Sequence, residues 1–148
     1  MRELAILPGN IGTNPRFCRM SRTGKLIYLL CRTATSACGV SMVDPHQFGR
    51  VHDFEVREVE QALGEMVKVG LCAHDPDTFE IFFLDVFRWE KFRGRGWQIL
   101  ESATRKIESQ HIRRLVDQAR PARPIDDHPK PDQQPTANRP RVNIPVLN

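Results

Sequence analysis

Arg57 and Gln61 stand one helical turn apart in the run DFEVREVEQALGEMVKVG. They are the side-chain types that bond the edges of guanine and adenine. Positive charge gathers on either side of this run. Positions 16 to 32 carry Arg16, Arg19, Arg22, Lys25 and Arg32 with no acid among them, and positions 88 to 95 carry Arg88, Lys91, Arg93 and Arg95 against Glu90 alone. Such groups suit phosphate oxygens, which position a partner without reading its sequence. Phe87, Trp89 and Phe92 interleave the second group, as a stacking surface for unpaired bases requires; the same rings would also close a core. Between the basic stretches, Asp53, Glu55, Glu58, Glu60, Glu65, Asp75, Asp77 and Glu80 face only Arg57 and Lys68. Glu58 and Glu65 would oppose phosphates on the face that carries Arg57, Gln61 and Lys68, unless they accept from cytosine or pair with Arg57.

Catalytic patterns are missing from the sequence. GxxxxGK[ST], HExxH and GxSxG do not occur, and Gly94-Arg95-Gly96 is too short for a nucleotide fingerprint. Cys38, His46 and His52 match no zinc spacing and lack a fourth ligand. The expectation is a protein that is not an enzyme and needs neither metal nor cofactor. With 148 residues and 40% hydrophobic content the chain supports one ordinary domain and a tail, and its net charge of +4 suits modest contact with a polyanion. Its four cysteines form no CxxC pair, which reads as a reduced thiol set. MRELAILPGN breaks before a signal-peptide apolar stretch can form, and no run approaches a membrane span. A soluble, cytoplasmic protein without a membrane partner is expected.

The elements follow from caps and spacing. Residues 1–13 read as an N-terminal arm. Ser21 caps a helix to about Arg32, with Leu26, Leu29 and Leu30 inward and Lys25 and Arg32 outward. GVSMV is a short strand. Asp44 and Pro45 start a second helix that should end near Gly49. Asp53 is expected to cap the third, whose Val56, Val59, Leu63 and Met66 face the core before Gly70 stops it. LCAH and FEIFFLDV pair around DPDT, with Phe79, Ile81 and Phe83 on one face. FRWEKFRGRG connects to a last helix within 94–119, irregular at Glu108 to His111, whose apolar stripe would pack on the domain or form a homodimer seam. From Arg120 seven of eleven prolines fall in 29 residues, so 120–148 reads as an extended or disordered tail. Near its end Val142, Ile144 and Val146 alternate, a pattern able to add a strand to a sheet edge where Pro145 needs no ladder N–H. The fold class is α+β: a winged helix-turn-helix of three helices and a small β-wing over 14–93, an extra C-terminal helix over 94–119 and the Pro-rich tail.

KLIYLLCRT, the GV-start strand, EQALGEMVKVGL, the Asp-Pro turn and the aromatic close FLDVFRWEKF together resemble the N-terminal winged-helix domain of phage replisome-organiser and replication-initiation proteins. The resemblance covers about residues 14 to 93. It implies DNA binding in replication initiation or regulation, and recruitment of host replication machinery through the C-terminal part. DNA would be held by Arg57, Gln61 and Lys68 with Arg16, Arg19, Arg22, Lys25, Arg88, Lys91, Arg93 and Arg95, mainly through the backbone. The acid-rich third helix leaves a second reading open. In it the chain is a non-enzymatic adaptor or inhibitor, and Glu55, Glu58, Glu65, Asp75 and Asp77, with Val142, Ile144 and Val146, dock a host nucleic-acid-handling protein.

Overall fold

Ser21 and Asp44 begin the first two long helices by the same device. The Ser21 hydroxyl accepts from Gly24 N–H, and the Asp44 carboxylate accepts from His46 N–H with Pro45 at the first helical position. The computed structural model describes residues 9–89, without the Trp89 side chain, and 91–124. The arm to Pro8 and the tail from residue 125, with Val142, Ile144 and Val146, lie outside them. After a 3-10 turn at Ile11–Thr13 come the short α1 (Pro15–Cys18) and α2 (Arg22–Thr33). β1 (Val40–Met42), α3 (Pro45–His52), α4 (Val56–Lys68), β2 (Cys72–Asp75) and β3 (Glu80–Phe83) follow. α5 (Val86–Trp89), α6 (Arg95–Arg105) and α7 (Gln110–Ala119) complete the described chain. The protein is α+β, with seven α-helices and one three-stranded antiparallel sheet among the described residues. The element order and the strand order β1-β3-β2 are compatible with a winged helix.

β3 is central and covered on both faces. Its register sets Ile81 opposite Ser41 and His74, and Phe82 opposite Val40 and Ala73. Period-two alternation therefore sends Ile81 and Phe83 to one core and Phe82 to another. The first core holds Ile27, Tyr28 and Cys31 of α2 with Val59, Ala62, Leu63 and Met66 of α4. In the second, Val40 and Phe82 meet Trp97 and Leu100 of α6 and Ile112 and Val116 of α7. Tyr28 stands edge-on between Phe17 and Phe83 at 5.4 Å from each.

Several sequence expectations change. In α2 the inward stripe is Gly24, Ile27, Tyr28 and Cys31, whereas Leu26 is 49% exposed. LIYLLC is apolar all round, so its phase could not be read from periodicity. Arg32, expected outside, is 2% exposed; its guanidinium lies 5.0 Å from the Phe83 ring centroid and 3.7 Å from Asp85. Asp53 does not cap α4. It closes α3 in a left-handed conformation at φ 60°, so α3 runs past Gly49 to His52, and Glu55 is the N-cap of α4 while Glu58 reaches back to its N–H at 2.9 Å. Gly49 is needed for closeness, since a Cβ there would sit 2.6 Å from the Phe54 carbonyl oxygen. Gly70 is the left-handed stop of α4, at φ 74°. Phe79 leaves the expected strand face because its own backbone is left-handed, at φ 57°.

The last helix is two. Ser109 caps α7 by accepting from Ile112 N–H, and the buried Glu80 carboxylate receives Glu108 N–H at 2.9 Å and Ser109 N–H at 2.7 Å. Glu80 of β3 thus ties down the two amides just ahead of α7, where the chain bends between α6 and α7. Part of the connector is helical as α5. Gly49→Ala should cost about 1–3 kcal/mol from overpacking against fixed backbone, measured by urea denaturation. Glu80→Ala should cost about 2 kcal/mol by leaving the buried Ser109 N–H and the part-buried Glu108 N–H unpaired, and near-ultraviolet circular dichroism should report loosening around Trp97.

Candidate functional site

Asn14 accepts Arg16 N–H with its side chain and, with Pro15 behind it, starts α1. Phe17 is buried and pins this short helix to Tyr28. Three residues apart, Arg16 and Arg19 therefore leave the same side of the chain. Arg16 donates from Nη1 to the Gly70 carbonyl at 2.9 Å, which ties α1 to the end of α4. From the other end of the sheet, Val86 is buried and sets the turn of α5 that carries Arg88. Arg16, Arg19 and Arg88 line one cleft of about 430 Å³ with Gly70, Leu84 and Asp85. Asp85 is the carboxylate in its lining, and the buried Arg32 approaches that carboxylate at 3.7 Å. The lining sets three guanidinium groups, of which Arg16 is held by the Gly70 carbonyl, against the single carboxylate of Asp85, a chemistry that suits an anion.

The other basic residues do not all join it. Arg22 and Lys25 leave the first turn of α2, and the Lys25 ammonium lies 5.9 Å from the Phe17 ring centroid. Lys91 and Arg93 are exposed in the segment after α5, and Arg95 is exposed at the first position of α6. The aromatics between them turn inward. Phe87 and Phe92 are half-buried in a chain of rings from Phe82 through Phe87 and Phe92 to Trp97, with successive centroids 6.2, 5.9 and 5.6 Å apart. They close the second core and are not a free stacking platform.

On α4 part of the expected reading face is engaged within the fold. Gln61 donates to Glu65 Oε1 at 3.1 Å, and Glu65 Oε2 receives both the N–H and the hydroxyl of Ser21 at 3.0 and 2.8 Å. Glu65 is thus a clasp between α4 and the start of α2. Gly24 leaves room for it, since a Cβ there would meet Glu65 Oε2 at 2.3 Å. Burial alone would raise the Glu65 carboxyl, yet the bonds from Ser21 and Gln61 outweigh it and hold the group below its ordinary 4.5. Arg57 and Lys68 are exposed, among the exposed Glu55, Glu58 and Glu60. In the β2–β3 turn, Asp75 accepts from the Ser109 hydroxyl at 2.5 Å and from Asp77 N–H at 3.0 Å, which lowers its carboxyl; Asp77 is exposed. Asp75 of this hairpin is therefore tied to the cap of α7.

A second basic recess was missed from the sequence. Arg105, Arg113 and Arg120 line about 450 Å³ with Glu101 and Thr104. Arg113 donates to the Ile107 carbonyl and Arg120 contacts Asp117 at 3.3 Å. The signal was a run of Arg105, Lys106, Arg113, Arg114, Arg120 and Arg123, hidden by reading the region only for its apolar stripe. Among the described residues no group of three His, Cys, Asp or Glu side chains could hold a metal ion. Cys38 is buried in the second core, and His52 packs on Phe48 at 4.3 Å between centroids. Burial pushes the Cys31 and Cys72 thiols up to about 12, so they act as core side chains and not as nucleophiles. No helix among the described residues is long and apolar enough to cross a membrane. The chain matches no protein-family model, no curated protein and no solved structure.

The Glu65 clasp makes a pH prediction. A carboxyl held low in the folded state contributes stability above its unfolded value, and that contribution disappears as pH falls through the folded one. Glu65→Gln should be less stable than wild type by about 1 kcal/mol at pH 7. The difference should shrink steadily below pH 4.5, the ordinary value of this group, in parallel urea titrations.

Proposed function

We propose that this chain is a winged-helix protein that binds DNA chiefly through phosphate contacts, in the manner of a phage-type protein of replication initiation or its regulation. The observation that carries this reading is the meeting of Arg16, Arg19 and Arg88, from α1, its following turn and α5, on one cleft. Guanidinium groups gathered on a concave surface can bond phosphate oxygens in pairs and hold the register of a nucleic acid. The order α2, β1, α3, α4, β2, β3 supports the winged-helix reading. Sequence reading by α4 has less support: Gln61 is bonded to Glu65, and the acids Glu55, Glu58 and Glu60 surround Arg57. The grip is therefore weakly selective for sequence. Docking of a basic protein by the acidic face also has less support, because Glu58, Glu65 and Asp75 are bonded within the fold.

Salt titration tests this. Each arginine that neutralises a phosphate contributes about 0.9 to the slope of log affinity against log salt on duplex DNA. Arg19→Ala combined with Arg88→Ala should make the slope shallower by about 1.8 and weaken binding on unrelated sequences alike. Arg57→Ala should change it little. Binding insensitive to salt, or unchanged in the double variant, would remove the proposal. Arg16 is left intact because it also holds Gly70.

A further inference from the structure

The layer formed by α6 and α7 carries a charge excess of its own. From Glu101 to Arg123, six residues are Lys or Arg and three are Asp or Glu. Arg105 ends α6, Arg113 lies near the start of α7, and Arg120 follows its last residue. These three line the recess of about 450 Å³, together with Glu101 and the buried Thr104. Arg113 is held in place, since it donates to the Ile107 carbonyl across the turn between the helices. That turn is itself fixed to the sheet by the bonds of Glu108 and Ser109 N–H to Glu80. The acids nearby are already met. Arg123 lies 3.9 Å from Glu101, the carboxylate of the lining, and Asp117 lies 3.3 Å from Arg120. Arg105 has no ion-pair partner among the described residues.

We propose that this recess is a second phosphate site, through which the α6–α7 layer joins the nucleic-acid-binding surface. The proposal rests on reading the chain as a nucleic-acid binder, but not on the cleft of Arg16, Arg19 and Arg88. The two sites share no lining residue and no element. The cleft holds Leu84 and Asp85, just past the end of β3, whereas the recess flanks the turn tied to Glu80, at its beginning. Spacing points to a row of anions as the ligand. Arg113 and Arg120 are seven residues apart, two turns along α7, so they leave the same side about 10 Å from each other. That is the rise of about three phosphates on one strand of duplex DNA. Arg105 reaches the same recess from α6, so the row is gripped from two helices. A guanidinium carries five N–H donors, and Arg113 uses its Nη2 on Ile107, which leaves others for a phosphate oxygen. A single carboxylate would meet one of the three arginines and leave the others without an anion.

Salt titrations of the full chain on a duplex of arbitrary sequence test it. Arg105→Ala with Arg120→Ala should make the slope of log affinity against log salt shallower by about 1.8. Combined with Arg19→Ala and Arg88→Ala, the change should reach about 3.6, because the sites are separate. Lys106→Ala with Arg114→Ala removes the same charge from outside the recess lining and should leave the slope nearly unchanged. Arg113 is kept because it holds the turn, and equal urea midpoints show that each variant folds. If the recess pair leaves the slope at its wild-type value while the cleft pair lowers it, this proposal falls and the nucleic-acid reading stands. An equal loss in the Lys106 and Arg114 pair would overturn it as well, since the effect would then belong to net charge. Binding by the wild-type chain that ignores salt would remove both. In nuclear magnetic resonance spectra the Arg105 Nε–H signal should shift on adding the duplex. A poly-glutamate of equal charge that shifts it at lower concentration would overturn the proposal in favour of an acidic protein partner.

Discussion

β3 has to be buried on both faces, and the architecture follows from that. Glu80, Ile81, Phe82 and Phe83 are each 4% exposed or less. Two of these side chains point to α2 and α4, and two point to α6 and α7. Fully burying an aromatic or aliphatic side chain contributes about 1.5–3 kcal/mol, so neither face can be left to water. The helical layer after the sheet is therefore part of the core and not an appendage. Glu80 makes the second face specific. Its carboxylate takes the N–H groups of Glu108 and Ser109, which fixes where α6 stops and α7 begins.

The same constraint distributes the charges. With the Ser109 cap of α7 bonded to Asp75, that carboxylate serves packing, while Asp77 at the tip stays exposed. Arg16, Arg19 and Arg88 meet on one cleft, where Arg16 is also bonded to the Gly70 carbonyl. On α4, the Glu65 clasp to Ser21 takes Gln61 with it. Charges that look like an interface along the chain are in part the bonds that hold α2 to α4 and the sheet to α7.

Caps, turns and alternation were legible because each is a local rule. Ser21, Asp44, Pro45, Gly70 and the Asp-Pro turn state their roles in three or four residues, and Val59, Leu63 and Met66 keep one helical phase. The α2 stripe was not legible, since LIYLLC offers apolar residues on every side and only Phe17, Phe83 and Asp85 decide which are covered. Asp53 and Glu55 are both good caps, and the choice between them rests on Gly49 approaching the Phe54 carbonyl. Of the candidate site, the basic stretches were visible, but their convergence was not. Arg16 and Arg88 are far apart in sequence and meet only because Phe17 and Val86 are both buried beside the sheet.

The sequence alone determined the order α2, β1, α3, α4 and the β2–β3 hairpin, and an excess of positive charge near α1 and α5, because propensity, capping and period act over a few residues; it did not separate α6 from α7 or show α1 and α5 as helices. Tertiary structure alone decided which charges are spent. Glu58, Glu65, Asp75 and Glu80 look alike along the chain, yet each is engaged by a particular partner, and Arg32 is buried while Arg16, Arg19 and Arg88 stay exposed. The reason is that a charge can be taken from water only where fixed donors or an opposite charge wait for it, and those partners come from elements distant in sequence, apart from the local bond of Glu58.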